Sequence, residues 1–426
     1  MKKVKVLFFL ALIFLGFIAN DSLTSIEKLS EKPVITSFQP IVSEGIANIT
    51  TFVSPDCAYD ALKEALESAK KSLFVEMYSF SNPYLLDIVG NLSAAGINVV
   101  FILEDDHVSY YESQYTYWAV RQLYLRGVKV YWASDTYRFA HAKFVIIDNS
   151  TVIIESENWA KSGIPIDPTY GNRGWGVIIE DQEIASYFLD VFLYDLSIAE
   201  PYDPNTAPEG EAVSYYVPKG DYVPLFTATK YTEYVKMIPI LSPDFSENLI
   251  IDLINSANES IYIEQMYIYP TLNELINALI NAKERGVEVK IILDPKSDEN
   301  NETAEILTSH GIEVAYAYTK DYGEPHWFET MHNKGMIIDG KIVLISSINW
   351  SPTSLRENRE AGIVIINEKI AQYYLQVFNY DWENAPEKII SEETKPSQSL
   401  LSYLKDLSIL IIILIVIALL KWLRKK

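Results

Sequence analysis

Short apolar runs rich in Val, Ile, Phe and Tyr alternate along the chain with stretches of helical period, such as residues 58–70 and 272–285, and this alternation predicts an α/β fold. The pattern comes twice. HAKFVIIDNSTVIIESENW, starting at His141, and HNKGMIIDGKIVLISSINW, starting at His332, read alike at a constant offset of 191 residues (332 − 141). Upstream, SLFVEMYSF from Ser72 resembles SIYIEQMYIY from Ser260, and AGINVVFILEDD from Ala95 resembles RGVEVKIILDPK from Arg285. Two homologous halves follow, at residues 45–200 and 241–390, joined by a linker at 201–240. The first part of that linker, 201–224, concentrates Pro, Gly, Asp and Tyr, which suits an irregular connection.

In each half, two apolar stretches meet at a polar dipeptide suited to positive φ, Asp148-Asn149 and Asp339-Gly340. These predict two-residue hairpin turns. Pairing Ile338 with Lys341 then sets His332 opposite Ser347, and period-two alternation aligns His332, Lys334, Ser347 and Asn349 on one face. The first copy aligns His141, Lys143, Ser156 and Asn158 in the same way. Asp148 and Asp339 fall in the turns, away from that surface, and are read as structural. Parity turns Glu155 and Glu157 to the face opposite Ser156.

The ends of the chain have a different character. Lys2, Lys3 and Lys5 precede an apolar run at 6–19, so residues 1–22 read as a signal peptide or signal anchor. Residues 391–403 read as a polar stalk, 404–423 as a transmembrane helix, and 424–426 as a basic cytoplasmic tail. Basic clusters on the outer side of both runs place the body outside the cytoplasm at the cell membrane. The net charge of −22, from 57 acidic and 35 basic side chains, repels a phosphate backbone and makes nucleic acid the less favoured partner. The single cysteine, Cys57, cannot form an internal disulfide.

Paired His, Lys and Asn suit phosphoryl chemistry, in which cations and hydrogen-bond donors stabilise charge on the phosphoryl oxygens. One neutral imidazole can attack phosphorus while a second, protonated one serves the leaving oxygen. Of five histidines, His141 and His332 occupy matching repeat positions, whereas His107, His310 and His326 have no such counterpart. No metal or other cofactor is expected, because no cluster with ligand spacing accompanies the motifs.

The duplicated H-x-K-x4-D and S-x-N patterns resemble the phospholipase D superfamily over roughly residues 56–380. The resemblance implies two α/β/α sandwich repeats docked about a pseudo-two-fold axis, with the motifs facing one another. It implies His141 as nucleophile and His332 as acid/base, with Lys143, Lys334, Asn158 and Asn349 in the catalytic set and Ser156 and Ser347 near substrate. Glu360 falls where the family places a carboxylate that orients a catalytic His. The first copy has Gly174 at that alignment position, after a five-residue insertion, leaving His141 to be oriented by another group. Glu155 and Ser346 replace the usual glycine before the motif serine, and Glu155 and Glu157 put negative charge beside the first motif.

The expected activity is cleavage of phospholipid head-group esters. The alternatives are an exported nuclease, a cardiolipin-type phosphatidyltransferase, or an inactive surface binding module. The tyrosine-rich stretch at 110–118 is read as packing rather than as a lipid-contacting rim, and the loop at 323–330 as a gate or an ordinary surface loop.

Overall fold

In the computed structural model, residues 37–321 and 327–389 are described. The signal segment, stalk, apolar run and basic tail expected at the two ends lie outside the described residues, as do residues 323–326 of the 323–330 loop. Among the described residues, no helix is long and apolar enough to cross a membrane.

The first half runs β1 (Ser43–Ser54), α1 (Ala58–Glu67), β2 (Ser72–Met77), α2 (Pro83–Ala94), β3 (Asn98–Leu103), α3 (Tyr110–Leu125), β4 (Lys129–Trp132), β5 (Lys143–Ile147), β6 (Thr151–Glu155), β7 (Gly174–Glu180), α4 (Gln182–Ile198) and the short β8 (Glu200–Pro201). The second half repeats the order with β9 (Thr229–Ser242), α5 (Ser246–Ser256), β10 (Ser260–Gln265), α6 (Asn273–Glu284), β11 (Glu288–Leu293), α7 (Asp298–Ser309), β12 (Glu313–Tyr316), β13 (Lys334–Ile338), β14 (Ile342–Ser346), the five-residue α8 (Pro352–Arg356), β15 (Glu360–Ile366), α9 (Glu368–Glu383) and β16 (Glu387–Ile389). The mixed α/β repeat expected from the hydrophobic pattern is therefore present twice.

The strands form one sheet whose order mirrors about the β1–β9 pair. On one side come β7, β6, β5, β2, β3 and β4, and on the other β15, β14, β13, β10, β11 and β12. In each half, three parallel strands joined through helices are followed by antiparallel strands that meet at the centre. The apolar faces bury three clusters. One packs α1–α3 on the first half, one packs α5–α7 on the second, and a shared one joins α4 and α9 to strands of both halves. That shared core fixes the halves against each other.

Two expectations change. The linker ends earlier than 240, because β9 starts at Thr229 and pairs with both β1 and β15; its alternating sequence is a central strand. The hairpin register is also one residue off. Ile147 pairs with Thr151 and Ile338 with Ile342, so each loop has three residues, although Asp148, Asn149, Asp339 and Gly340 do take positive φ. Lys334 then lies opposite Ser346, in the row of Met336 and Ile338, while Ser347 continues the row of Val343 and Ile345. Ser347 and Asn349 lie beyond the end of β14, where strand parity no longer sets direction. The polar groups thus converge past the strand ends, not on one hairpin face.

Candidate active site

His141 and His332 lie just before β5 and β13, and each approach segment is bonded to the other repeat. The N–H of His141 donates to Arg359 O (2.8 Å) and that of Arg359 to Phe139 O (2.9 Å). In mirror image, His332 donates to Arg173 O (3.0 Å) and Arg173 to Thr330 O (3.0 Å). Carboxylates fix the preceding residues: Glu104 accepts from Ala140 N–H and Asp294 from Met331 N–H, each at 2.7 Å. Backbone bonds thus bring two motifs far apart in sequence into one site.

Crossing over in this way carries carboxylates to the opposite histidines. Glu360, on β15, lies 2.8 Å from His141 Nδ1 and accepts from Ser347 Oγ (2.6 Å) and Asn358 Nδ2 (3.0 Å). Glu157 lies 3.2 Å from His332 Nδ1, within ion-pair distance, but the two are not aligned as a hydrogen bond. The sequence reading left His141 to be oriented by an unnamed group, which is found in the other repeat, and set Glu157 aside by parity, which is corrected. Glu360 of the second repeat serves His141, and Glu157, past the end of β6, faces His332. Glu155 does turn away, accepting from Trp159 Nε1 at 2.7 Å; burial pushes its carboxyl up to about 8.

Lys143 and Lys334 are fully buried, and each Nζ donates to the carbonyl of its own histidine, Lys143 at 2.7 Å. Burial pushes Lys143 down to about 8 and Lys334 to about 7, against the raising pull of Glu360 and Glu157 respectively. Burial also lowers both histidines, His141 to about 4, although their carboxylates favour the charged ring. Both rings are 12% exposed, and this burial disfavours the charged form of each. Asn158 and Asn349 are buried with unpartnered Oδ1 atoms.

The remaining motif residues bond to backbone N–H groups. Asp148 accepts from the N–H groups of Lys70, Lys71 and Ser72, and Asp339 from those of Asn258, Glu259 and Ser260. Burial alone would raise these two carboxyls, but the bonds hold them below the usual range. Ser156 and Ser347, expected near substrate, accept from the N–H groups of Trp175 and Ala361 at 3.0 and 3.1 Å.

The sequence reading missed Tyr78, whose ring centroid lies 4.7 Å from that of His141 and 5.5 Å from Lys143 Nζ. Tyr110 and Tyr111 stand 66% and 62% exposed, so the packing reading of 110–118 fails at its start and holds for Thr116. At the described end of the 323–330 loop, Phe328 lies over Arg173 and Trp327 stacks on Tyr380. A cavity of about 640 Å³ beside Phe38, Tyr137 and Arg359 is lined by neither histidine, so the chemistry is assigned to the buried pair rather than to that cavity.

The phospholipase D of Rickettsia bellii is 35% identical over 135 residues, 32% of this chain and 62% of that protein. A Bacillus subtilis protein named as a probable cardiolipin synthase, YwiE, is 25% identical over 352 residues, 74% of this chain and 62% of that one. The matches thus span about three-fifths of these relatives' lengths. In fold, the chain is similar to the phosphatidylserine synthase of Haemophilus influenzae, with a TM-score of 0.58 and 15% identity over 84% of this chain and 93% of that one. The family model for cardiolipin synthase, PLD-like domain, matches residues 62–196 and 250–382. These two matches coincide with the two repeats and together cover more than half of the sequence, so the chain belongs to this PLD-like family of the phospholipase D superfamily.

Proposed function

We propose that this chain cleaves phosphodiesters without a metal, through a phosphohistidine on His141, and that its substrates are phospholipid head-group esters. One observation carries the reading: two histidines share a site with two buried lysines, and each faces a carboxylate from a residue far along the chain. With Nδ1 facing Glu360, His141 presents Nε2 to phosphorus, and its neutral ring keeps the attacking lone pair. The P–N bond forms as the ester P–O bond breaks, and the leaving oxygen takes a proton from Nε2 of His332. An anionic phosphodiester favours the protonated form of His332, so substrate binding itself arms the acid. Water or an alcohol then loses a proton to His332 and attacks phosphorus, releasing His141. Lys143, Lys334 and the amides of Asn158 and Asn349 stabilise the phosphoryl oxygens.

Hydrolysis and transfer differ only in the acceptor. The phospholipid reading is supported by the names of the relatives and by the net charge of −22, which opposes a nucleic-acid substrate. The apolar run at 404–423 with its basic flank supports a body tethered at the membrane, outside the cytoplasm. The test is hydrolysis of bis(p-nitrophenyl) phosphate in EDTA. Wild type is expected to be active, and His141→Asn and His332→Asn each to lose roughly a thousandfold or more; folded but inert wild type, or activity restored only by a divalent ion, sinks the reading. Phosphatidylglycerol vesicles with and without added glycerol then separate hydrolysis from transfer, and cleavage of single-stranded DNA without lipid turnover would favour the nuclease.

A further inference from the structure

The registers of the two central strands define which residues correspond between the repeats. Ser54 pairs with Gly174 and Ser242 with Glu360, so Gly174 holds in the first repeat the place that Glu360 holds in the second. The neighbours correspond too. Arg173 and Arg359 precede the two positions, Asn172 and Asn358 come before them, and Ser156 and Ser347 bond to the residue after each. A side chain at 174 has no room. Its Cβ would lie 2.3 Å from Glu157 Oε1, 2.6 Å from Glu157 Cγ and 2.6 Å from Ser156 Oγ.

Glu157 fills that space from the other direction. Asn172 Nδ2 donates to Glu157 Oε2 at 3.0 Å, as Asn358 Nδ2 donates to Glu360 Oε1 at 3.0 Å. The loop after β6 makes way for it, since a Cβ at Gly163 would come within 2.9 Å of Glu157 Oε2. Position 348, the counterpart of 157, is a buried isoleucine.

We infer that Glu157 and Gly174 form a reciprocal pair, in which Glu157 is the positioning residue for His332 and Gly174 is the vacancy that admits it. The inference rests on the catalytic reading of His332 given above. The pair also explains why the contact to His332 is looser than that to His141: Glu360 is fixed in a strand and takes three side-chain partners, whereas Glu157 reaches in from a loop with one aligned donor.

The test relocates the carboxylate. Glu157→Gln, which keeps shape and removes charge, should lower turnover by on the order of a hundredfold. Glu157→Ala should do the same, and Glu157→Ala combined with Gly174→Glu should recover to within about tenfold of wild type, since Ser347 beside Glu360 shows that both side chains fit. Gly174→Glu alone should lose activity through its clash with Glu157. A separate reading is the titration of His332 by NMR: its pKa should fall in Glu157→Gln and return in the relocated variant, whatever the substrate. Full activity in folded Glu157→Gln, an unmoved His332 titration, or a folded double variant without recovery overturns the pairing. If the titration moves as expected but wild type shows no phosphodiester cleavage, the functional proposal fails and the positioning role stands.

Discussion

The two repeats carry His, Lys and Asn at matching positions, yet each places a carboxylate beside the other repeat's histidine in a different way. The second repeat sends Glu360 from β15 to His141; the first sends Glu157 from the loop after β6 to His332. What the halves share is the location of the negative charge, not its position in the sequence. Low-dielectric surroundings explain this, because a buried imidazole responds to where a charge sits and how it is aligned. The arginine clusters behind the site show the opposite case, with nearly identical partners in both halves. Arg173 binds Ser54 O, Asp56, Asp381 and Tyr222, and Arg359 binds Ser242 O, Asp244, Asp195 and Tyr137.

The largest effect should come from breaking that shared part. Arg173→Ala would leave Asp56 and Asp381 buried without their cation, and Arg359→Ala would do the same to Asp195 and Asp244. Each is expected to cost about 3–5 kcal/mol, measured by urea or thermal unfolding. Lysine should not restore the loss at either position, because it lacks the planar fork that reaches both acids. A large cost at one arginine and none at the other would end the symmetry argument.

A smaller effect should sharpen the difference. Loss of the acid proton of His332, whose pKa burial lowers, should open the alkaline side of the kcat/KM profile, and loss of the lysine charges should add steps near pH 7 with Lys334 and near pH 8 with Lys143. The acid limit should lie near pH 4, where His141 gains the proton that blocks attack. Glu157 is the leading charge that raises Lys334 and Glu360 the leading one that raises Lys143. Glu157→Gln should therefore draw the Lys334 step to lower pH, and Glu360→Gln the Lys143 step. A pH–rate profile in which either substitution moves both steps equally would show that the two lysines titrate as one unit.

How much of this was legible in the sequence follows the range of each interaction. Residue spacing and period-two patterning carry local information, and they gave the duplicated α/β repeat, the positive-φ turns and the convergence of His141, His332, Lys143 and Lys334. The one-residue register error arose because a dipeptide suited to a two-residue turn here sits in a three-residue loop, a difference only the ladder reveals. The exchange of Glu360 to His141 spans the two repeats, and no local pattern encodes it. Glu157 did leave a trace: one repeat lacks a carboxylate at 174 and carries an extra one at 157, a paired loss and gain that points to a relocated group. Parity obscured it, since parity has no force beyond the end of β6.

Glu155 provides the smallest and most selective comparison, because it lies two residues from Glu157 yet bonds to Trp159, while Glu157 faces His332. Its carboxyl, buried against Trp159, is pushed up to about 8, so the folded protein holds a proton there that the unfolded chain releases near the ordinary carboxylate range. Between those values the folded state binds more protons than the unfolded one, and stability falls as pH rises. Glu155→Gln removes this dependence while keeping an acceptor for the indole N–H. It should leave turnover within about twofold of wild type, match wild-type stability near pH 4, and raise Tm by on the order of a few degrees at pH 8. Thermal melts at the two pH values, run beside the activity assay, check the pair of expectations. A large loss of turnover would mean that Glu155 also acts on the site through Lys143, and the two neighbouring glutamates could then no longer be treated as one structural and one positioning group.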